Sequence, residues 1–135
     1  EALMQELNLN CKRLANKNQN LSNINIAIGD TSLSDNELEK SIQVFGPKNP
    51  SDGIALAPRG GVLATDLENN AIGLTTKGKY QTLIQDKRLS WPDSLATSNG
   101  YVYVTQDQLH QHPAFSQGLG NAKPPYVLYR FRFEQ

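Results

Sequence analysis

The stretch that decides the fold is SDGIALAPRGGVLATD, which runs from Ser51 to Asp66. Two short apolar runs, Ile54 to Ala57 and Val62 to Thr65, flank the turn-forming sequence Pro58 to Gly61. Proline and glycine between two such runs predict a β-hairpin. The stretch therefore predicts two antiparallel strands at the centre of an all-β chain.

A similar phrase, WPDSLATSNGYVYVTQ from Trp91 to Gln106, follows the first at a spacing of about 40 residues. Two copies alone would also fit a chance similarity, but Asp, Gly and Thr keep their places, which favours a repeat. Repeats at this spacing are typical of a radial β array such as a propeller, where one blade is four short strands. The alignment pairs Asp52 with Asp93, Ile54 with Leu95, Ala55 with Ala96, Gly60 with Gly100 and Thr65 with Thr105.

The strands of the predicted blades follow from the alternation of apolar runs and turn residues. Asn99-Gly100 between apolar runs is a strong hairpin signal, and Leu109 to Pro125 has the composition of a long surface loop. We expect strands at Ile54–Ala57, Val62–Asp66, Ala71–Thr75 and Tyr80–Ile84 in the first blade, at Ser94–Thr97 and Tyr101–Thr105 in the second, and a last strand at Tyr126–Phe133.

Short helical segments are predicted before the repeat. Apolar residues at helical spacing from Leu3 to Leu14 predict a first helix. An Asn-rich stretch then predicts a loop, and alternating isoleucines from Ile24 to Ile28 predict a short strand. Ser34 and Glu37 have the spacing of a capping box, which predicts a second short helix that is stopped by Gly46-Pro47.

Composition and charge argue against several classes of partner. The 135 residues include 13 basic and 13 acidic side chains, so no net charge attracts nucleic acid or an anionic membrane. No apolar run reaches membrane-spanning length and no signal peptide opens the chain. Because the first residue is Glu1, the sequence indicates processing, trimming or excision from something longer. The single cysteine excludes an intrachain disulfide.

From Thr31 to Phe133 the chain resembles the C-terminal part of bacterial-type members of the major royal jelly protein/yellow family. The resemblance lies in the order and spacing of LSDNELE, SDGIALAP, TDLENNAIG, QDKRLSWPDSL, GYVYVTQDQLH and PPYVLYRFRF. It implies a six-bladed β-propeller with a central channel, of which this chain supplies about two blades. We therefore expect an N-terminal segment unlike the family at 1–30 and a propeller portion at 31–135.

Two blades cannot close a ring, and ring closure is what removes exposed strand edges. The chain is therefore a cut-down piece, a truncated product with a new N-terminus, or one part of an assembly. In each case we expect self-association through the exposed blade edge.

The resemblance also implies a function. Insect members of the family are secreted and some bind small molecules in the channel, so we expect a non-enzymatic ligand-binding or structural role and an extracellular or periplasmic location. The alternative is a metal-dependent lactonase or hydrolase, as in the more distant gluconolactonase/regucalcin enzymes. The sequence has no nucleophile elbow, phosphate loop or Cys/His pair. A full ring with a convergent metal shell would favour the enzyme, and its absence favours the ligand-binding or structural role.

Asp52 and Asp93 are the candidate metal ligands. In the gluconolactonase relatives a ligating aspartate stands in a similar phrase at the start of an inner strand, so the resemblance implies that both face the channel. A Ca2+ ion takes six to eight oxygens, and further ligands would come from other blades of a complete propeller. The alternative is that each aspartate caps its own turn by accepting backbone N–H groups.

Other polar and aromatic residues have weaker claims to a site. Asp66 to Asn70 resembles a calcium loop but lacks its glycine and its closing glutamate, so we expect a solvated turn. His110 and His112 have no third ligand nearby in sequence, which favours loop positions. Trp91, with the nearby tyrosines Tyr101 and Tyr103, could line a ligand pocket or pack in the core.

Overall fold

The structure, a computed structural model, describes residues 23–26, 32–76 and 78–134, the first of these ranges by its backbone alone. The helix predicted from Leu3 to Leu14 lies outside these residues, as does the end of the strand predicted from Ile24 to Ile28. Within the described ranges, no helix has the length and apolar character needed to cross a membrane.

Antiparallel strands dominate the described chain and form three sheets. Sheet 1 pairs β1 with β2, sheet 2 has the order β3-β4-β5-β6, and sheet 3 has the order β7-β8-β9. The elements are β1 (Asn23–Ile26), α1 (Asp35–Lys40), β2 (Gln43–Pro47), β3 (Ile54–Leu56), β4 (Val62–Asp66), β5 (Ala71–Thr76), β6 (Lys79–Gln85), β7 (Pro92–Ser98), β8 (Tyr101–Gln106) and β9 (Val127–Arg132), with a 3-10 helix at Leu109–Gln111.

The described residues are mostly β, in agreement with the all-β prediction, while the assignment of these sheets to part of a six-bladed propeller stays a prediction. Every strand predicted from residue 54 onward is present, with ends that differ by at most two residues. These strands were predictable because their turns are local: Asn70 and Asn99 adopt the left-handed conformation, as do Gly60 and Gly100.

The predicted end of the second helix is wrong. Helix α1 keeps its capping box, in which the Glu37 carboxylate accepts the Ser34 backbone N–H at 2.9 Å, but it ends at Lys40. The chain then forms β2, which includes the predicted helix stop. Tertiary contacts with sheet 2 explain the difference. The Thr75 hydroxyl donates a hydrogen bond to the Pro47 carbonyl at 2.6 Å. The backbone at Gly46 also lies so close to Thr75 that an added Cβ would be 2.6 Å from the threonine methyl group.

Sheet 2 is covered on both faces. Strand β2 packs against β5 and β6, and strand β7 packs against β3 and β4. As a result β4 is buried at every position and β5 at all but its last. The main apolar core lies between sheets 2 and 3, and consists of Ala57, Leu63, Ile72, Leu74, Leu89, Val102, Val104 and Phe133.

The predicted turn at 66–70 is solvated at Glu68 and Asn69, but the prediction is wrong for Asp66, which lies buried at the end of β4. Its carboxylate accepts hydrogen bonds from the Asn49 side chain at 2.6 Å, the Asn69 backbone at 3.2 Å and the Tyr80 hydroxyl at 2.8 Å. The Tyr80 ring lies over Gly73 of β5, so closely that a Cβ there would collide with the ring. One buried carboxylate thus ties together three segments of sheet 2 and its surroundings.

This network sets the titration of both of its ionisable groups. Burial alone would raise the pKa of Asp66, but the hydrogen bonds from Asn49, Asn69 and Tyr80 outweigh burial and hold that pKa below its ordinary value. Burial, and then the hydrogen bond to Asp66 and its negative charge, raises the pKa of Tyr80 to about 12. The ionised carboxylate and the protonated phenol therefore stabilise each other.

We expect the folded state to lose stability at high pH because of Tyr80. The folded chain holds the phenolic proton up to about pH 12, whereas an unfolded tyrosine releases it near pH 10. The contribution is therefore complete below about pH 10 and is lost as the pH rises toward the folded value. Urea unfolding at a series of pH values measures this loss.

The Tyr80→Phe variant should lack this alkaline loss, while Tyr126→Phe, at an exposed position, should keep it. If Tyr80→Phe and the parent lose stability in parallel above about pH 10, the hydrogen bond to Asp66 does not hold the phenolic proton.

Candidate functional site

The first strands of sheets 2 and 3 begin with the same hydrogen-bonded turn. The Thr65 hydroxyl oxygen accepts the backbone N–H of Asp52 at 3.1 Å and of Gly53 at 3.0 Å. In sheet 3 the Thr105 hydroxyl oxygen accepts the backbone N–H of Ser94 at 3.0 Å. Since these residues occupy aligned positions, the two phrases are related in geometry as well as in sequence.

The threonine hydroxyls are the groups that cap these turns. At Asp52, Gly53 and Ser94 the backbone N–H groups are taken by a threonine hydroxyl, so the aspartate carboxylates are left for other partners. The alternative in which each aspartate caps its own turn is therefore not the arrangement present here.

The two turns lie side by side. A Cβ added at Gly53 would collide with the carbonyl oxygen of Asp93 and would lie 3.0 Å from the Cα of Ser94. A residue without a side chain is needed for this approach of one backbone to another. The approach brings Asp52 and Asp93, which are far apart in sequence, to the same end of the two sheets.

Trp91 joins this meeting point to the loop after β8. Its indole N–H donates to the Asp52 carboxylate at 2.6 Å, and its ring stacks on His110 with centroids 5.4 Å apart and planes 17° apart. Trp91 has a φ of 56°, in the left-handed region that bulky residues avoid at a cost of about 1–3 kcal/mol. The hydrogen bond to Asp52 and the stacking on His110 hold the side chain in that conformation.

Charge is concentrated around Asp52. Burial raises its pKa; the Trp91 hydrogen bond and the positive charge of Lys48 oppose that rise, and the negative charges of Asp93 and Asp107 add to it. The Asp93 carboxylate itself accepts the Ser94 hydroxyl at 2.5 Å. Six residues thus form an Asp52 cluster, namely Lys48, Asp52, Trp91, Asp93, Asp107 and His110.

Sequence reasoning found part of this cluster. It predicts Asp52 and Asp93 as metal ligands, and Trp91 as a residue of a ligand pocket or of the core. It predicts a loop position for His110 and gives no prediction for Lys48 or Asp107. Asp107 directly follows the repeat phrase, which was the available signal; Lys48 precedes the first phrase and carries no comparable sign.

The remaining candidates do not join the cluster. His112 is exposed, and its ring is tilted by 57° against that of Phe115 at a centroid distance of 6.4 Å. Tyr101 and Tyr103 contact each other on the outer face of sheet 3, with ring centroids 6.5 Å apart. Among the residues that the structure describes, no group of three or more His, Cys, Asp or Glu side chains is arranged to hold a metal ion.

No family model and no curated protein matches the chain. The resemblance to the major royal jelly protein/yellow family therefore stays a prediction from the quoted segments.

We expect the two threonines of the repeated turn to differ in their contribution to stability. Thr65 is buried and accepts two N–H groups, so Thr65→Val should lower the free energy of unfolding by about 1–3 kcal/mol. Thr105 is exposed and accepts one, so Thr105→Val should cost less. Urea unfolding of both variants measures the difference, and equal losses would contradict the proposed role of burial.

The raised pKa of Asp52 should be visible in the fluorescence of Trp91, the only tryptophan of the chain. Protonation of the carboxylate changes the hydrogen bond to the indole, so an acid titration should show a transition above about pH 3.9, the ordinary value for Asp. Asp93→Asn should lower the midpoint, since that neighbouring charge helps to raise it. A transition that persists unchanged in Asp52→Asn would show that another group is responsible.

Proposed function

We propose that the chain is part of a β-propeller of the major royal jelly protein/yellow type and binds a small organic ligand, without catalysis, at the Asp52 cluster. The observation that carries this proposal is the meeting of the two repeated turns, where the Asp52 carboxylate accepts the indole N–H of Trp91 and is close enough to Asp93 to be affected by its charge. By the same resemblance we propose an extracellular or periplasmic location.

The chemistry of the cluster favours a cationic ligand with an apolar body. The negative charges of Asp52, Asp93 and Asp107 outnumber the positive charge of Lys48. An indole face attracts organic cations, and carboxylates pair with ammonium groups through charge-assisted hydrogen bonds. The stacked Trp91–His110 pair offers the apolar surface, while the carboxylates offer the pairing partner.

The strain at Trp91 supports the same assignment. Backbone conformations of high energy persist where the surroundings fix them, and they are concentrated at ligand-binding and catalytic positions. Here the surroundings are the Asp52 carboxylate and the His110 ring. A ring held in this way is preorganised, so binding costs little further ordering.

The second candidate is a metal-dependent lactonase or hydrolase. The proximity of Asp52 to Asp93 favours it, because two neighbouring carboxylates can supply part of a calcium shell. A Ca2+ ion held there would polarise a carbonyl oxygen of the substrate. The remaining oxygen ligands would come from other blades of a complete propeller.

We expect benzylammonium to change Trp91 fluorescence in a saturable way, and benzyl alcohol, which has the same ring without the charge, to bind at least about tenfold more weakly. Asp52→Asn should weaken benzylammonium binding and leave benzyl alcohol unaffected. Glu68→Gln serves as the control, since Glu68 is exposed and does not belong to the cluster. Equal affinities for the two probes would refute the cation site.

Calcium distinguishes the second candidate from the first. A ligand that binds only the folded state adds about 2.7 kcal/mol at a hundredfold excess over its dissociation constant. A calcium-dependent rise in melting temperature in the parent that Asp52→Asn lacks would support the metal site. Identical melts of both proteins with and without calcium would leave the non-metal ligand site as the proposal.

A further inference from the structure

The connection between β8 and β9 contains a loop at 109–123 whose two ends lie side by side. Gln108, directly before the loop, is buried, and its side-chain amide makes two hydrogen bonds to the backbone of Lys123. The amide donates to the Lys123 carbonyl at 2.8 Å and accepts the Lys123 N–H at 3.1 Å. The Gln111 carbonyl also accepts the backbone N–H of Asn121 at 2.9 Å. Compact loops with joined ends are frequently functional.

The base of this loop is bonded to the segment that carries Trp91. The Gln108 backbone N–H donates to the Ser90 carbonyl, and the Asp107 backbone N–H donates to the Trp91 carbonyl, both at 3.3 Å. Asp107 and Trp91 both belong to the Asp52 cluster. The base of the loop and the candidate site therefore share residues.

His110 lies between the two residues that hold the returning end of the loop. The 3-10 helix at Leu109–Gln111 is a single turn, in which the Gln111 N–H donates to the Gln108 carbonyl at 2.8 Å. The Gln111 side-chain nitrogen also lies 3.2 Å from Nε2 of the His110 ring. The ring that stacks on Trp91 is thus carried by one short turn, and this turn is fixed at both ends.

Gln108 uses all of its hydrogen-bonding groups in this arrangement. Its backbone N–H and carbonyl bond to Ser90 and Gln111, and both ends of its side-chain amide bond to Lys123. Its φ is 56°, a left-handed conformation that a glutamine adopts only at an energetic cost. The hydrogen bonds on all sides fix this conformation, and the amide acts as a clamp between the two ends of the loop.

We propose that Gln108 is a positioning residue for the Asp52 cluster: by clamping the loop at 109–123 to its own base, it holds the His110 ring against Trp91. This rests on the proposed ligand-binding function, because the stacked rings are the apolar surface of that site. A surface that is already held in its binding conformation loses little further freedom when a ligand binds. Gln108 acts on the ligand through His110 and needs no contact with the ligand itself.

Acrylamide quenching of Trp91 fluorescence measures the cover that His110 provides, since the chain has no other tryptophan. Gln108→Met keeps the length of the side chain and removes both hydrogen bonds to Lys123. We expect acrylamide to quench Trp91 more strongly in this variant than in the parent, and to the same extent as in His110→Ala. The double variant should be quenched no further than either single variant, because both changes remove the same stacking contact.

Gln108→Asn is a second variant that separates the clamp from the backbone conformation. Asparagine adopts the left-handed conformation more readily than glutamine, but its side chain is one methylene shorter and should not reach both groups of Lys123. We expect it to fold and to show the same increase in quenching. Gln117→Met and Gln117→Asn are the matched controls and should behave as the parent, since Gln117 is an exposed glutamine of the same loop with a φ of 54°.

Ligand binding gives a second signature of a positioning role. Gln108→Met should weaken the binding of benzylammonium and of benzyl alcohol by the same factor, about three- to tenfold, because it loosens the ring pair that both probes would use. Asp52→Asn, by contrast, should weaken benzylammonium alone. A loss confined to benzylammonium in Gln108→Met would contradict an action through His110.

Circular dichroism melts establish that each variant is folded. Parental quenching in both folded Gln108 variants would overturn the proposal, as would a double variant that is quenched more strongly than both single variants. If neither probe binds to the parent, the proposed ligand-binding function fails. The quenching comparison would still decide whether Gln108 positions His110, so the two failures are distinguishable.

Discussion

Burial of both faces of sheet 2 is the constraint on which the rest of the structure depends. Its two middle strands, β4 and β5, place apolar or fully bonded side chains on either side, so water must be excluded from both faces. Sheet 1 covers one face, where the backbone at Gly46 approaches Thr75, and sheet 3 covers the other around Leu63 and Leu74. The stacking of three sheets in chain order is the consequence.

The same stacking produces the candidate site. When sheet 3 covers sheet 2, the starts of β3 and β7 meet, and Gly53 lets the two backbones approach. The hydroxyls of Thr65 and Thr105 take the backbone N–H groups of the turns, which leaves the Asp52 carboxylate to accept the indole N–H of Trp91. A packing requirement therefore concentrates like charges at one end, and burial with that crowding raises the pKa of Asp52.

Local signals in the sequence were sufficient for most of the fold, and long-range contacts explain what they missed. The strands from Ile54 onward follow from turns whose residues are adjacent in sequence. Strand β2 was missed because Gly46-Pro47 has the composition of a helix stop, and its partners lie in β1 and across the stack in β5. The sequence predicts a solvent-exposed Asp66 for the same reason, since the partners that bury its carboxylate, Asn49 and Tyr80, are distant in sequence.

The repeat predicted Asp52 and Asp93 but not their surroundings, and the comparison of equivalent positions explains why. Thr65 and Thr105 are both threonine because each hydroxyl accepts a backbone N–H group at the start of its own sheet, a role that every copy of the phrase shares. Leu63 and Tyr103, or Leu74 and Arg130, differ because one sheet is covered and the other is not. The residues that the two copies share therefore indicate the contacts within each sheet. The positions at which the copies differ reflect the contacts that each sheet makes with its neighbours, and they can be interpreted once the stacking is known.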